Sequence, residues 1–168
     1  MGNGIGYECE RCGHSFDMHL GCGMAYPSAY AEVVADVRAG TYGEEWKKAF
    51  EETEWAAVSA EPKLFWCEEC GAWGVGPDLS IWTPKDLEAY KRKDCGDKKM
   101  LFYGEPQCPM ERELREDFKP VKIREHACPA CGKRMHACLD AGKAPRMLKC
   151  PDCEGQLKRR DDWTVMWD

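Results

Sequence analysis

The stretch that decides the fold opens with Cys128-Pro129-Ala130-Cys131-Gly132 and closes with Cys150-Pro151-Asp152-Cys153-Glu154-Gly155. The same form occurs twice upstream, as Cys9-Glu10-Arg11-Cys12-Gly13 and Cys67-Glu68-Glu69-Cys70-Gly71. A two-residue gap lets both sulfurs of a tight turn face one metal ion at about 2.3 Å. Gly13, Gly71 and Gly132 directly follow the second cysteine, and Gly155 lies two places after Cys153. Glycine there allows the φ > 0 backbone that such a knuckle needs. Pro129 and Pro151 fix φ where no amide donor is required. Two knuckles complete a tetrahedral shell, so Cys9, Cys12, Cys67, Cys70, Cys128, Cys131, Cys150 and Cys153 are the candidate ligands. Two structural Zn²⁺ ions are the expectation, although iron suits the same all-sulfur set.

The bulk composition explains why metal is needed. Of 168 residues 43% are hydrophobic, which separates the chain from disordered compositions, yet 32% are charged and mean hydropathy is −0.63. The apolar core is therefore thin for this length. No run of about 18 apolar residues reads as a membrane span, and the first residues, Met1-Gly2-Asn3-Gly4-Ile5-Gly6, do not read as a secretory signal. A reducing cytoplasmic setting is expected, in which twelve cysteines favour metal ligation over disulfides.

These knuckles resemble those of zinc-ribbon proteins, including rubredoxin-like variants. The likeness covers residues 126–160 best, where 18 residues separate Cys131 from Cys150. It implies that Cys128, Cys131, Cys150 and Cys153 form one ribbon. It also implies that Cys9, Cys12, Cys67 and Cys70 form another, whose 54-residue interval holds a helical insertion. The opening Gly4-Ile5-Gly6-Tyr7-x-Cys-x-x-Cys-Gly is similar to the start of some uncharacterised bacterial zinc-ribbon proteins, and that likeness implies no activity.

Four cysteines, Cys22, Cys95, Cys108 and Cys138, have no partner at knuckle spacing. A third site from Cys22, Cys95 and Cys108 with His14 or His19 is conceivable, but such residues are more often small buried hydrophobes or free thiols. His126 and His136 flank the third knuckle. With four cysteines available, neither is needed as a ligand.

The expected fold class is α+β: two zinc ribbons of short antiparallel strands with inserted helices. A helix is read over about 28–39, capped by Ser28, with Tyr30, Val33, Val34 and Val37 on one face and Gly40 as its stop. A second follows Thr41, boxed with Glu44, with Tyr42, Trp46, Ala49 and Phe50 on its apolar side. Leu64–Trp66 and Leu79–Trp82 read as strands. Thr83-Pro84-Lys85-Asp86 signals a helix to about Lys93, residues 94–108 read as a loop, and 109–118 as a short charged helix. The implied organisation is an N-terminal ribbon over 1–82, interrupted by a helical hairpin at about 28–58. A connector over 83–118 leads to a C-terminal ribbon over 119–168, beginning at Val121-Lys122-Ile123.

Charge is distributed unevenly. Residues 1–60 carry a net −6, 61–118 carry −4, and 119–168 carry +4. Lys133, Arg134, Arg146, Lys149, Lys158, Arg159 and Arg160 crowd the last segment, where Trp163 offers a stacking surface. This points to an adaptor touching nucleic acid or a nucleoprotein partner through its basic end. The overall acidity points instead to a purely protein-binding, regulatory or metal-sensing component, since nonspecific nucleic-acid affinity rests on positive charge. The plainer account of the charges is a solvated face. No nucleophile elbow, P-loop, dinucleotide fingerprint or His-Glu-x-x-His pair occurs, which leaves a thiol-redox role as the remaining enzyme reading.

Overall fold

A computed structural model describes residues 2–94, 108–160 and 166–167. Cys95, Trp163 and nearly all of the loop expected over 94–108 lie outside those residues. In chain order the described strands are β1 (Gly2–Cys9), β2 (Ser15–Leu20), β3 (Ala57–Val58), β4 (Pro62–Trp66), β5 (Trp73–Pro77), β6 (Ile81–Pro84), β7 (Phe118–Lys122), β8 (His136–Cys138), β9 (Met147–Lys149), β10 (Gln156–Arg159) and β11 (Met166–Trp167). The helices are α1 (Tyr26–Ala39), α2 (Glu44–Glu51), α3 (Leu87–Asp94) and α4 (Glu111–Asp117). The class is mixed helix and small antiparallel sheets, as expected.

The chain divides into two compact units, each discontinuous in sequence. One comprises Met1–Met24, Glu61–Pro77 and Glu125–Asp168, and the other Ala25–Ala60 and Asp78–Arg124. The boundaries read at 82/83 and 118/119 assumed that neighbouring knuckles pair. The first unit is instead assembled from three separated segments, each bearing at least one knuckle.

In the first unit, β1 is the organising strand. β2 pairs along one side, with Tyr7 opposite Phe16 and Asn3 opposite Leu20. The C-terminal strands share the other side, with Cys9 opposite Leu157 on β10 and Gly2 opposite Trp167 on β11. β9 extends the sheet from β10. A second sheet has the order β5-β4-β8. Alternation along the strands sends Ile5, Tyr7, Met18, Leu20, Leu148 and Leu157 into one buried cluster with Leu64, and Trp66 and Trp73 pack against it. The Tyr7 hydroxyl donates to the Pro145 carbonyl at 2.5 Å, which satisfies the polar tip of a fully buried ring. The first residues, to which the sequence assigned no element, form a central strand.

In the second unit, α1 and α2 form the expected hairpin and bury Tyr30, Val34, Val37 and Phe50. The expected caps are replaced. α1 starts at Tyr26 from an Ala25 N-cap with Pro27 in its first turn, so Ser28 already lies inside the helix, while Gly43 at φ 109° rather than Thr41 precedes α2. Gly40 does stop α1, in the left-handed region at φ 79°. Pro84 ends β6 instead of opening a helix. Asp86 caps α3 by accepting from the Ala89 amide at 2.8 Å.

A three-stranded sheet of order β3-β6-β7 completes this unit. Phe118–Lys122 thus pairs with β6 and does not begin a C-terminal ribbon. Its inward residue Phe118 packs with Ala57 and Leu114, and that packing fixes the strand here. The buried Glu111 accepts from Ser59 at 2.8 Å and from Arg115 at 3.0 Å.

Candidate metal centres

All four knuckles share one backbone pattern. The amide of the first cysteine donates to a carbonyl five residues on: Cys9 to His14, Cys67 to Ala72, Cys128 to Lys133 and Cys150 to Gly155, at 2.7–2.8 Å. The carbonyl of that cysteine accepts from the residue four places on, at 2.8–2.9 Å: Gly13, Gly71, Gly132 and Glu154. That residue is left-handed in every knuckle, with φ 69°, 74°, 71° and 59°. The sequence therefore identified the three glycines correctly and misassigned the fourth. Glu154 takes the left-handed position, and Gly155 is required for another reason. A Cβ on Gly155 would stand 2.8 Å from the Arg11 Cβ and 3.2 Å from the sulfurs of Cys9 and Cys153.

The knuckles pair across the chain. Cys9, Cys12, Cys150 and Cys153 form an outer group, and Cys67, Cys70, Cys128 and Cys131 an inner group, with ligand atoms in each within 4.8 Å of one another. This corrects the pairing of neighbours implied by the ribbon likeness. The physical reason lies in the strands: β10 docks beside β1 and carries the fourth knuckle to the first, while β8 docks on β4 and carries the third to the second. Sulfur separations across the paired knuckles are 3.4 Å for Cys9–Cys153, 3.8 Å for Cys12–Cys150, and 3.5 Å for both Cys67–Cys131 and Cys70–Cys128. Four thiolates at 2.3 Å around a tetrahedral ion would be about 3.8 Å apart. The donor sets therefore fit such an ion with little adjustment.

Backbone amides already favour thiolate at one position in each group. The Cys9 thiol is drawn down to about 6, chiefly by the Cys12 amide, with burial opposing and the Arg11 amide assisting. Burial works to raise the Cys128 thiol, but the amides of Cys131 and Ala130 outweigh it and bring the value to about 7. The neighbouring Cys12 and Cys131 thiols are pushed the other way, to about 12: the His14 and Lys133 amides lower them, but the sulfurs of Cys9 and Cys67 and burial outweigh this.

Each centre is also clasped by a His–carboxylate pair that the sequence did not reveal. His14, just past the first knuckle, pairs through Nδ1 with Asp152 inside the fourth. His136 on β8 pairs through Nε2 with Glu68 inside the second, at 3.4 Å. Both rings stack on aromatics, His14 on Phe16 at 4.6 Å and His136 on Trp66 at 5.5 Å. Arg11 adds a bond from Nη1 to the Cys153 carbonyl at 3.0 Å. His14 and His136 had been noted in the sequence, but their carboxylate partners depend on which knuckles meet.

The remaining candidates lie apart from these centres. Among the described residues, Cys22, Cys108, Cys138, His19 and His126 belong to neither metal-capable group. Burial raises the Cys138 thiol beside the core, and His126 stacks on Phe65 at 4.0 Å. The basic residues do not share one environment. Lys133, Arg134, Arg146 and Lys158 are exposed, whereas Lys149, Arg159 and Arg160 are half-buried. Lys158 sits opposite Glu8, and Lys149 pairs with Glu154 at 3.6 Å. Arg159, opposite Tyr7, shares the strand face of Leu157, away from Lys158.

Between β2 and β5 the first unit opens a cleft of about 610 Å³, lined by Phe16, Met18, Trp73 and Val75 with Ser15, Asp17 and His19. Among the described residues, β2 pairs only with β1 and β5 only with β4. Comparison with known families, curated proteins and solved structures gave no match. No helix among the described residues is long and apolar enough to cross a membrane.

Proposed function

We propose that this protein is a zinc-stabilised binding module in which each four-cysteine group holds one structural Zn²⁺ and the partner is a protein. The carrying observation is the gathering of eight sulfurs into two closed shells. A shell of four cysteines leaves no position for substrate, which supports scaffolding over catalysis. When bound, the ion would supply folding free energy, because unpaired thiolates otherwise hold the knuckles apart. The chain's own residues would orient it, with the amides shaping Cys9 and Cys128 and the His–carboxylate pairs clasping opposite knuckles.

A protein partner is supported by the cleft between β2 and β5. Two one-sided strands flanking an apolar trough suit an extended peptide, which can add backbone hydrogen bonds to an edge and place alternate side chains inward. Nucleic-acid contact is the second reading, favoured by the exposure of Lys133, Arg134, Arg146 and Lys158. The separation of Arg159 from Lys158 across the strand and the carboxylates facing Lys149 and Lys158 weigh against it.

The test has two parts. Native mass spectrometry of protein purified without added metal should find two zinc ions, and chelation should remove them together with secondary structure. Fluorescence anisotropy with single-stranded oligonucleotides at low salt should then show no binding that the quadruple substitution of Lys133, Arg134, Arg146 and Lys158 to Ala abolishes. Salt-sensitive binding lost in that variant would put the nucleic-acid reading first.

A further inference from the structure

We infer that the two sulfur groups load metal as a coupled pair, joined through the backbone of Lys149. The inference rests on the metal-binding part of the proposal above and goes beyond it, since two structural sites need not influence each other. Lys149 immediately precedes Cys150 of the outer group. Its amide donates to the carbonyl of Gly71 at 3.0 Å, and its carbonyl accepts from the indole Nε1 of Trp73 at 2.9 Å. Gly71 is the left-handed residue of the second knuckle, directly after Cys70, and Trp73 begins the strand that leaves it. The inner group's knuckle therefore grips both backbone polar groups of the residue next to an outer ligand.

The grip is close as well as polar. A Cβ on Gly71 would lie 3.0 Å from the Lys149 Cβ and 3.4 Å from its amide nitrogen, so the two backbones touch without an intervening side chain. Fixing the second knuckle with metal places Gly71 and Trp73, and these place Cys150. By linkage the outer ion must favour the inner one equally.

Loop closure alone would couple the sites only weakly. Closing the inner group shortens the chain between Cys12 and Cys150 by less than half, and closure entropy varies as the logarithm of length, which gives about twofold. Two hydrogen bonds available only when both knuckles are ordered raise the coupling to about tenfold or more. Trp73 is the positioning residue, because its ring packs against Phe16 whether or not its N–H is engaged.

The test is a Zn(II) titration of the chelator-stripped full chain followed by native mass spectrometry. For two equal sites coupled tenfold, about a quarter of chains carry one ion at half-loading, against one half when uncoupled. Trp73→Phe removes the donor and keeps a ring, so its one-ion fraction should rise above that of the wild type while both ions still bind. Cys131→Ser, which disables the inner group, should weaken zinc at the outer group about tenfold in chelator competition. An unchanged one-ion fraction in Trp73→Phe, or an undiminished outer affinity in Cys131→Ser, would overturn the coupling and leave two structural sites. If the wild type takes up no zinc, the metal reading itself fails.

Discussion

Gly155→Ala is the most direct test of how the outer centre is built. The φ of Gly155 is not left-handed, so alanine meets no backbone penalty there, and the whole effect is steric. Its methyl would lie 2.8 Å from the Arg11 Cβ and 3.2 Å from the Cys9 and Cys153 sulfurs. Carbon contacts are comfortable at about 3.5–4.0 Å, so Arg11 must retreat by about 0.7 Å or more. The Arg11 Cβ cannot swing away alone, because it is fixed to the backbone between two ligands. Overpacking of this kind costs about 1–3 kcal/mol, which here falls on the geometry of the four sulfurs. The outer ion should bind about fivefold to a hundredfold more weakly in competition with a chromophoric chelator, with secondary structure retained at saturating zinc. Gly13→Ala is the contrast. No atom lies within 4 Å of its added carbon, but its φ of 69° imposes about 1 kcal/mol of backbone strain instead. Wild-type zinc affinity in Gly155→Ala would refute the packing argument.

Three further outcomes follow from the same geometry. Glu154→Gly should raise the denaturation midpoint, because a left-handed non-glycine costs about 1–2 kcal/mol, while the exposed pair with Lys149 contributes at most about 1 kcal/mol; a lower midpoint would show that the pair matters more than the strain. The crossed pairing predicts that Cys12→Ser/Cys150→Ser loses one zinc and Cys12→Ser/Cys128→Ser loses both, whereas pairing of neighbouring knuckles predicts two lost in each; zinc counts by native mass spectrometry decide. Burial pushes the Tyr7 phenol up from 10.0 to about 12, so the folded state favours its neutral form. Its contribution is complete below the lower value and declines as pH rises toward the upper one, and Tyr7→Phe should lose that alkaline decline in denaturant titrations while being less stable by about 1 kcal/mol at neutral pH.

What the sequence disclosed and what it withheld divide along the range of the interactions. Cys-x-x-Cys spacing, the glycines after three knuckles and the stop at Gly40 are local, so the residues themselves specify them. The caps at Ser28 and Thr41 are also local, but residues two or three places away, Ala25 and Gly43, took the helix starts. The knuckle pairing is nonlocal; the sequence reading followed the zinc-ribbon likeness, whose 18-residue interval is also the one a shorter loop prefers. That preference is weaker than it looks. Going from 18 to the 137 residues between Cys12 and Cys150 costs less than about 2 kcal/mol, because closure entropy grows only logarithmically. Burying a single large apolar side chain returns about 1.5–3 kcal/mol, and β1 buries Ile5 and Tyr7 to 1% and 0% exposure within the sheet whose other side is completed by β10 and β11. The strand that outweighs the loop begins Gly2-Asn3-Gly4-Ile5-Gly6, where glycines interrupt the period-two pattern by which a strand is ordinarily recognised. An unrecognised strand thus concealed the partner of the first knuckle, and with it the crossing of the two centres.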